Sequence, residues 1–266
     1  MQFSLTDLQK EIKENAEKLL SEKIDPLQTI QKVDKNVRID EDLWKLVIEQ
    51  GWLALDVSED DGGLGFSTVD ASILSEVLGY YMPIIPLFSS GIVFKQLVLH
   101  SNDELKSRIL PEIISGEKIG SFAIYENDKY EINSENILTE LSSNDSGFIL
   151  NGKKKYVLFG DSSDYFAVLA KLGESFKFVL IDKNDKGVKI EETTSLDQTR
   201  PMCEVVFKDV EVSENNMMIE LDDELSQWNK VKHLSLAFLS MEQVGGSQAC
   251  LDMSTEYAKE RIQFGR

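Results

Sequence analysis

The chain has 266 residues, 42% of them hydrophobic and 28% charged, a balance that suits a globular protein of one large or two ordinary domains. A formal net charge of -19 repels polyanions, which argues against nucleic acid or an anionic membrane surface as a partner. Cys203 and Cys250, with His100 and His233, are isolated from one another, which argues against both a disulfide framework and a zinc site of about four clustered ligands.

The N-terminal stretch "MQFSLTDLQKEIKENAEKLL" lacks the apolar core of a signal peptide and is too acidic for a transit peptide, so a cytoplasmic protein is expected. Leu8, Ile12, Ala16, Leu19 and Leu20 recur at helical spacing. Asp40 is placed to cap a second helix, "EDLWKLVIEQ", which Gly51 closes. "SEDDGGLG" (58–65) follows no strand and lacks the Lys and Ser/Thr of a phosphate loop, so it reads as a solvated turn. Helix resumes in "VDASILSEVLGYY". The most apolar stretch, "MPIIPLFSSGIVFKQLVLH", is interrupted by prolines and Lys95 and falls short of the roughly 20 apolar residues that span a bilayer. "SNDELKSRILPEIISGE" predicts a short capped helix broken at Pro111 and ended by Gly116.

Near Gly120 the texture changes. "GSFAIYE", "FILNGKKKYVLFG", "YFAVLAKL", "SFKFVLIDKN", "VKIEETT" and "MCEVVFKDVEV" are short and rich in aromatic and β-branched residues. Turn signals separate or punctuate them, including Asn151–Gly152. This spacing suggests a small β-barrel or sandwich over about 120–212. From about Leu221 the helical pattern returns, with Leu234, Phe238, Met241, Gly245 and Gln248 on one stripe. Gly245 and Gly246 each cost a helix about 1 kcal/mol relative to Ala, which suggests close approach of another helix. The acidic run "ELDDEL" reads as a solvated face. Neither histidine has an acid or nucleophile at local spacing. The end, "YAKERIQFGR", reads as an uncapped helix tail with Gly265 past its last turn and with Arg261 and Phe264 on one face.

Five blocks in order resemble the acyl-CoA dehydrogenase family: "LWKLVIEQGWLALDVSEDDGGLGFSTVDASILSEVLG", "LPEIISGEKIGSFAIYE", "FILNGKKKYVLFGDSSDYFAVLAK", "RPMCEVVFKDVEVSENNMM" and "EYAKERIQFGR". The resemblance covers nearly the whole chain. It implies an α+β architecture with an N-terminal helical domain (1–119), a central β-barrel or sandwich domain (120–220) and the first helix of an incomplete C-terminal helical bundle (221–266). It implies FAD-dependent oxidation of an acyl-CoA thioester to a 2-enoyl-CoA, in which a glutamate takes the α-proton and the flavin accepts hydride. It also implies a homo-oligomer or a hetero-oligomer with a related subunit, and an electron-transfer partner protein.

The same resemblance assigns flavin contacts to Phe122, Ile124, Tyr125, Tyr156 and Leu158, and contacts to a neighbouring subunit's FAD to Arg261, Gln263 and Phe264. Here the chain departs from the family pattern. Tyr125 stands where the family has a flavin-bonding Thr, and Leu158 where it has another hydroxyl. Asn127, Asp128, Lys129, Tyr130 and Glu131 replace a Pro and a Gly–Ser loop, which would set a carboxylate beside a diphosphate. The base that a minority of the family carries on the long helix falls on Ser235; Glu242 is the nearest acid on that helix, and the catalytic residue stays unassigned. Three readings follow: a flavin dehydrogenase, a non-catalytic subunit that completes a partner's FAD site, or a binding module without flavin.

Overall fold

The computed structural model describes residues 4–144, 147–222 and 225–264. The N-terminal third is helical: α1 (Asp7–Lys23), α2 (Pro26–Asp34), α3 (Glu41–Glu49) and α4 (Thr68–Tyr81). Their starts follow from local chemistry. Thr6 and Gln9 form a reciprocal capping box on α1, and Ser67 and Asp70 form one on α4. The Asp40 side chain accepts from the Leu43 amide at 3.3 Å, capping α3 as its position suggests. Such caps contribute about 1 kcal/mol each. Gly51 then takes a left-handed conformation (φ 71°) that ends the helix.

The apolar stretch after α4 runs through a π-helical segment (Leu87–Phe94) into α5 (Lys95–Leu99). Its lysine is buried, ion-paired to Asp56 and donating to the Leu53 carbonyl at 3.0 Å. Among the described residues no helix is long and apolar enough to cross a membrane. The expected break at Pro111 does not occur: α6 runs Asp103–Ile114 straight through it. Leu105, Ile109, Leu110 and Ile113 are buried on one face, while Pro111 and Ser107, four residues earlier, are exposed. The carbonyl that loses its amide partner therefore faces water, and packing carries the helix on.

The middle of the chain forms a mixed sheet: β1 (Gly120–Ala123), β2 (Glu140–Asn144), β3 (Gly147–Leu158), β4 (Tyr165–Leu172), β5 (Ser175–Asp182), β6 (Val188–Thr193), β7 (Met202–Val212) and β8 (Met217–Leu221). The order is β6-β7-β3-β2-β4-β5-β8, with β1 parallel to β4. Alternate residues of β4 serve two cores. Phe166, Val168 and Ala170 pack with β3 and β7, whereas Ala167 and Leu169 pack with α5, α6 and Trp228. A strand buried on both faces must be apolar throughout, which is what "FAVLA" encodes. Cys203 lies in the inner core, where burial pushes its thiol up to about 12.

Two strands lay outside the sequence expectation. In β2, "ELSSN", Leu141 alone is buried; β8, "MMIEL", has one β-branched residue. Asn151–Gly152 is a bulge inside β3 rather than a turn. The Asn151 amide group bonds across to Asp209, and any side chain at Gly152 would run into Thr139.

The last element, α7 (Ser226–Glu260), crosses α4 at two glycines. A Cβ on Gly79 would collide with the Glu242 carbonyl, and a Cβ on Gly245 with the Glu76 carbonyl. Backbone lies on backbone at this crossing, as the small-residue stripe suggests. Gly246 is different, since its Cβ would meet only the Gly79 carbonyl at 3.5 Å, an ordinary contact. Gly245→Ala is therefore expected to destabilise the fold by about 3 kcal/mol, and Gly246→Ala to stabilise it by about 0.5–1 kcal/mol through helix propensity. Urea unfolding of the two variants checks this; equal effects would contradict the crossing geometry.

Candidate functional site

The site begins where β1 runs off the sheet. Lys154, fully buried on β3, donates to the Glu126 carboxylate at 2.6 Å and to the Ile124 carbonyl at 2.9 Å. Glu126 also accepts from the Leu138 and Thr139 amides at 2.8 and 3.0 Å. Burial pulls the Lys154 ammonium down to about 8 against the opposing pull of Glu126. This pair clamps residues 124–126 onto β3.

Just past the clamp β3 bulges, between Lys154 and Val157. Tyr156 takes a left-handed backbone (φ 59°) there and is 41% exposed. Such a conformation is held only where the surroundings impose it. The Tyr156 hydroxyl donates to the Asp128 carboxylate at 2.5 Å, which raises its pKa. Tyr130 meets Tyr125 edge-on, with ring centroids 6.4 Å apart. Segment 127–131 thus folds back on the wall formed by Tyr125 and Tyr156.

On the other side of Leu158 lies a cavity of about 330 Å³. Its walls come from the end of α4 (Leu78, Gly79, Met82), the π-helical segment (Leu87, Phe88), Leu158 and Phe159, and α7 (Leu239, Glu242). Met82 and Phe159 are both left-handed non-glycines (φ 49° and 52°). Arg200 stands in this mainly apolar wall, paired to Glu242 and, at 3.7 Å, to Asp197, and Glu242 is only 7% exposed. Desolvation raises the Glu242 pKa, with Arg200 opposing. The Arg200 guanidinium also sits 5.8 Å from the Phe88 ring centroid.

The residues singled out from the sequence fall into three groups. Phe122 and Tyr125 are half-buried against the helix–sheet core, and Ile124 is 1% exposed with its carbonyl occupied by Lys154. Tyr156 lies under Asp128, and Leu158 lines the cavity. Arg261, Gln263 and Phe264 lie at the far end of α7. The shared helix face expected for Arg261 and Phe264 is corrected by the structure: α7 ends at Glu260, and Arg261 is already extended (φ −70°, ψ 113°). Arg261 stacks over Tyr257 at 5.3 Å, and the Gln263 side-chain oxygen, turned toward it, accepts from its guanidinium at 2.8 Å. Phe264 is fully exposed. Gly265 lies outside the described residues, as do Asp223 and Glu224 of the acidic run. The Ser235 hydroxyl donates to the Val231 carbonyl of its own helix at 2.7 Å.

A flavin dinucleotide placed on this wall as the resemblance implies would set its ring on a tyrosine tied to Asp128. Its diphosphate would lie beside Asp128 and Glu131, with Lys129 the one cation among residues 127–131. These residues do not fit the group. The Arg200–Glu242 pair escaped the sequence reading because its members are 42 residues apart. The available signal was a carboxylate on the buried stripe of α7, four residues after Phe238 and three before Gly245.

The family model for the acyl-CoA dehydrogenase N-terminal domain matches residues 6–117, and that for the middle domain matches residues 121–210. The chain belongs to the acyl-CoA dehydrogenase family. It is 28% identical to the mitochondrial isovaleryl-CoA dehydrogenase of Solanum tuberosum, covering 98% of this chain and 65% of that protein. The chain thus spans less than two-thirds of this curated relative. Butyryl-CoA dehydrogenase from Megasphaera elsdenii superposes with a TM-score of 0.90 at 23% identity, over 100% of this chain and 72% of that one. A chain of the ChsE4-ChsE5 complex from Mycobacterium tuberculosis superposes with a TM-score of 0.87 at 21% identity, over 100% and 70%.

The clamp carries a pH prediction. Lys154 binds its proton less tightly in the fold (about 8) than in the unfolded chain (about 10.4). Between those values the unfolded state holds more protons, so this group makes stability rise with pH. Lys154→Met should abolish that rise and, by leaving Glu126 without its cation, lower stability at neutral pH by about 3 kcal/mol. Urea unfolding from pH 7.5 to 10 reads both effects.

Proposed function

We propose that this chain is a subunit of an acyl-CoA dehydrogenase-type assembly that keeps an acyl cavity, has lost its own flavin wall, and lends Arg261, Gln263 and Phe264 to the FAD of a related neighbouring subunit. The observation that carries this reading is the Tyr156–Asp128 hydrogen bond, which ties the would-be flavin platform to an acidic loop. The end of α7 supports it from the other side. A guanidinium fork suits a diphosphate, and an aromatic ring left fully exposed beside it suits a contact outside the chain. The ChsE4-ChsE5 complex, one chain of which shares this fold, is a complex of two differently named chains and supports unequal pairing.

A second reading is favoured by the cavity itself, which is apolar, of ligand size and bounded by Leu158. In that reading the chain forms a homo-oligomer, binds its own FAD, oxidises an acyl-CoA thioester to a 2-enoyl-CoA and passes electrons to a partner protein. The visible spectrum separates the two. The first reading expects a colourless purified chain and a yellow complex after co-expression with a flavin-bearing family member. Arg261→Ala should then reduce the FAD retained by that complex by about tenfold. A yellow chain carrying one FAD per polypeptide would favour the second reading instead.

A further inference from the structure

We infer that the cavity receives a short acyl thioester whose acyl group carries a protonated nitrogen, with Glu242 as the counter-ion. The inference rests on the reading that the cavity is an acyl site, and adds the class of acyl group. Three ionisable side chains line it, Arg200, Glu242 and Asp197. One positive and two negative charges leave the lining at -1. They are not equally wet: the side chains of Asp197 and Arg200 are 51% and 32% exposed, against 7% for Glu242. The charge held away from water is therefore a carboxylate.

Glu242 cannot withdraw. Its own backbone carbonyl lies against Gly79 at the helix crossing, which pins this turn of α7 and aims the side chain at the cavity. Arg200 compensates it only in part, since burial still pushes the Glu242 carboxyl up. Arg200 is also drawn toward Asp197, 3.7 Å away on the solvent side. A plain hydrocarbon acyl group would remove the small water contact that Glu242 keeps and return nothing for it. A carboxylate-bearing group would bring a third negative charge against one guanidinium. A protonated nitrogen restores a charge-assisted hydrogen bond to Glu242 and leaves the Arg200 pair intact. The hydroxyl oxygens of Ser89 and Thr199, whose protons go to the Pro86 carbonyl and the Asp197 carboxylate, retain acceptor capacity. A volume of about 330 Å³ lies at the small end of ligand pockets, which suits a short acyl group.

The test is calorimetric titration of the purified chain with three pantetheine thioesters: β-alanyl (cationic) and butanoyl (neutral), equal in heavy atoms, and succinyl (anionic), which is two oxygens larger. The expected order is β-alanyl tighter than butanoyl by at least about tenfold, with succinyl weakest. Glu242→Gln should bring β-alanyl and butanoyl to within about twofold of each other. The wild-type comparison carries the test should the variant fail to fold. Equal or tighter binding of butanoyl, a preference for succinyl, or an unchanged preference in folded Glu242→Gln overturns the inference while leaving the acyl site standing. No binding of any of the three overturns both.

Discussion

The backbone contact between α4 and α7 at Gly79 and Gly245 is the constraint on which the rest depends. It fixes the long C-terminal helix against the N-terminal domain without a side chain between them. Two consequences follow from that one placement. The turn carrying Glu242 is pressed to the rim of the cavity, so a buried carboxylate occupies a mainly apolar wall. The remaining length of α7 runs on past the body. From Gly245 to Arg261 a helix rises about 24 Å, and along this stretch Leu251, Met253 and Tyr257 stay exposed. Arg261 and Phe264 are thus carried away from their own chain's sheet by the same geometry that builds the cavity.

The buried Lys154–Glu126 pair does a comparable job for the β-sheet. It holds the end of β1 on β3 and thereby brings Tyr125, Tyr156 and segment 127–131 to one surface. An ion pair with no water access stabilises weakly in net terms but is unforgiving of change, so it serves to fix geometry. What stands on that geometry departs from the pattern that the resemblance implies. Tyr125 and Leu158 stand where the resemblance implies hydroxyl contacts, and the two tyrosines of this surface, Tyr125 and Tyr156, are engaged by Tyr130 and Asp128.

Much of the fold could be read from local sequence because its determinants are local. Asp40 caps α3, Gly51 ends it, and "YFAVLAKL" announces a strand. The misses share one cause, tertiary contacts overriding local signals. Pro111 stays inside α6 because its orphaned carbonyl faces water while three turns of leucine and isoleucine are buried. Asn151–Gly152 becomes a bulge because Asp209 and Thr139 claim its polar groups and its space. Of the site, the altered positions 125 and 158 were visible by resemblance. The Tyr156–Asp128 bond and the Arg200–Glu242 pair were not, since partners 28 and 42 residues apart leave no periodic trace.

The central claim is that this chain's own flavin wall is closed by segment 127–131. Titrating purified chain into FAD and following flavin fluorescence tests it directly, with wild type beside the double variant Asp128→Gly, Glu131→Ser. The account predicts no saturable change for wild type and a measurable gain of binding in the variant, whose loop no longer holds Tyr156 or presents carboxylates to the diphosphate. Stoichiometric FAD binding by the wild-type chain would contradict it.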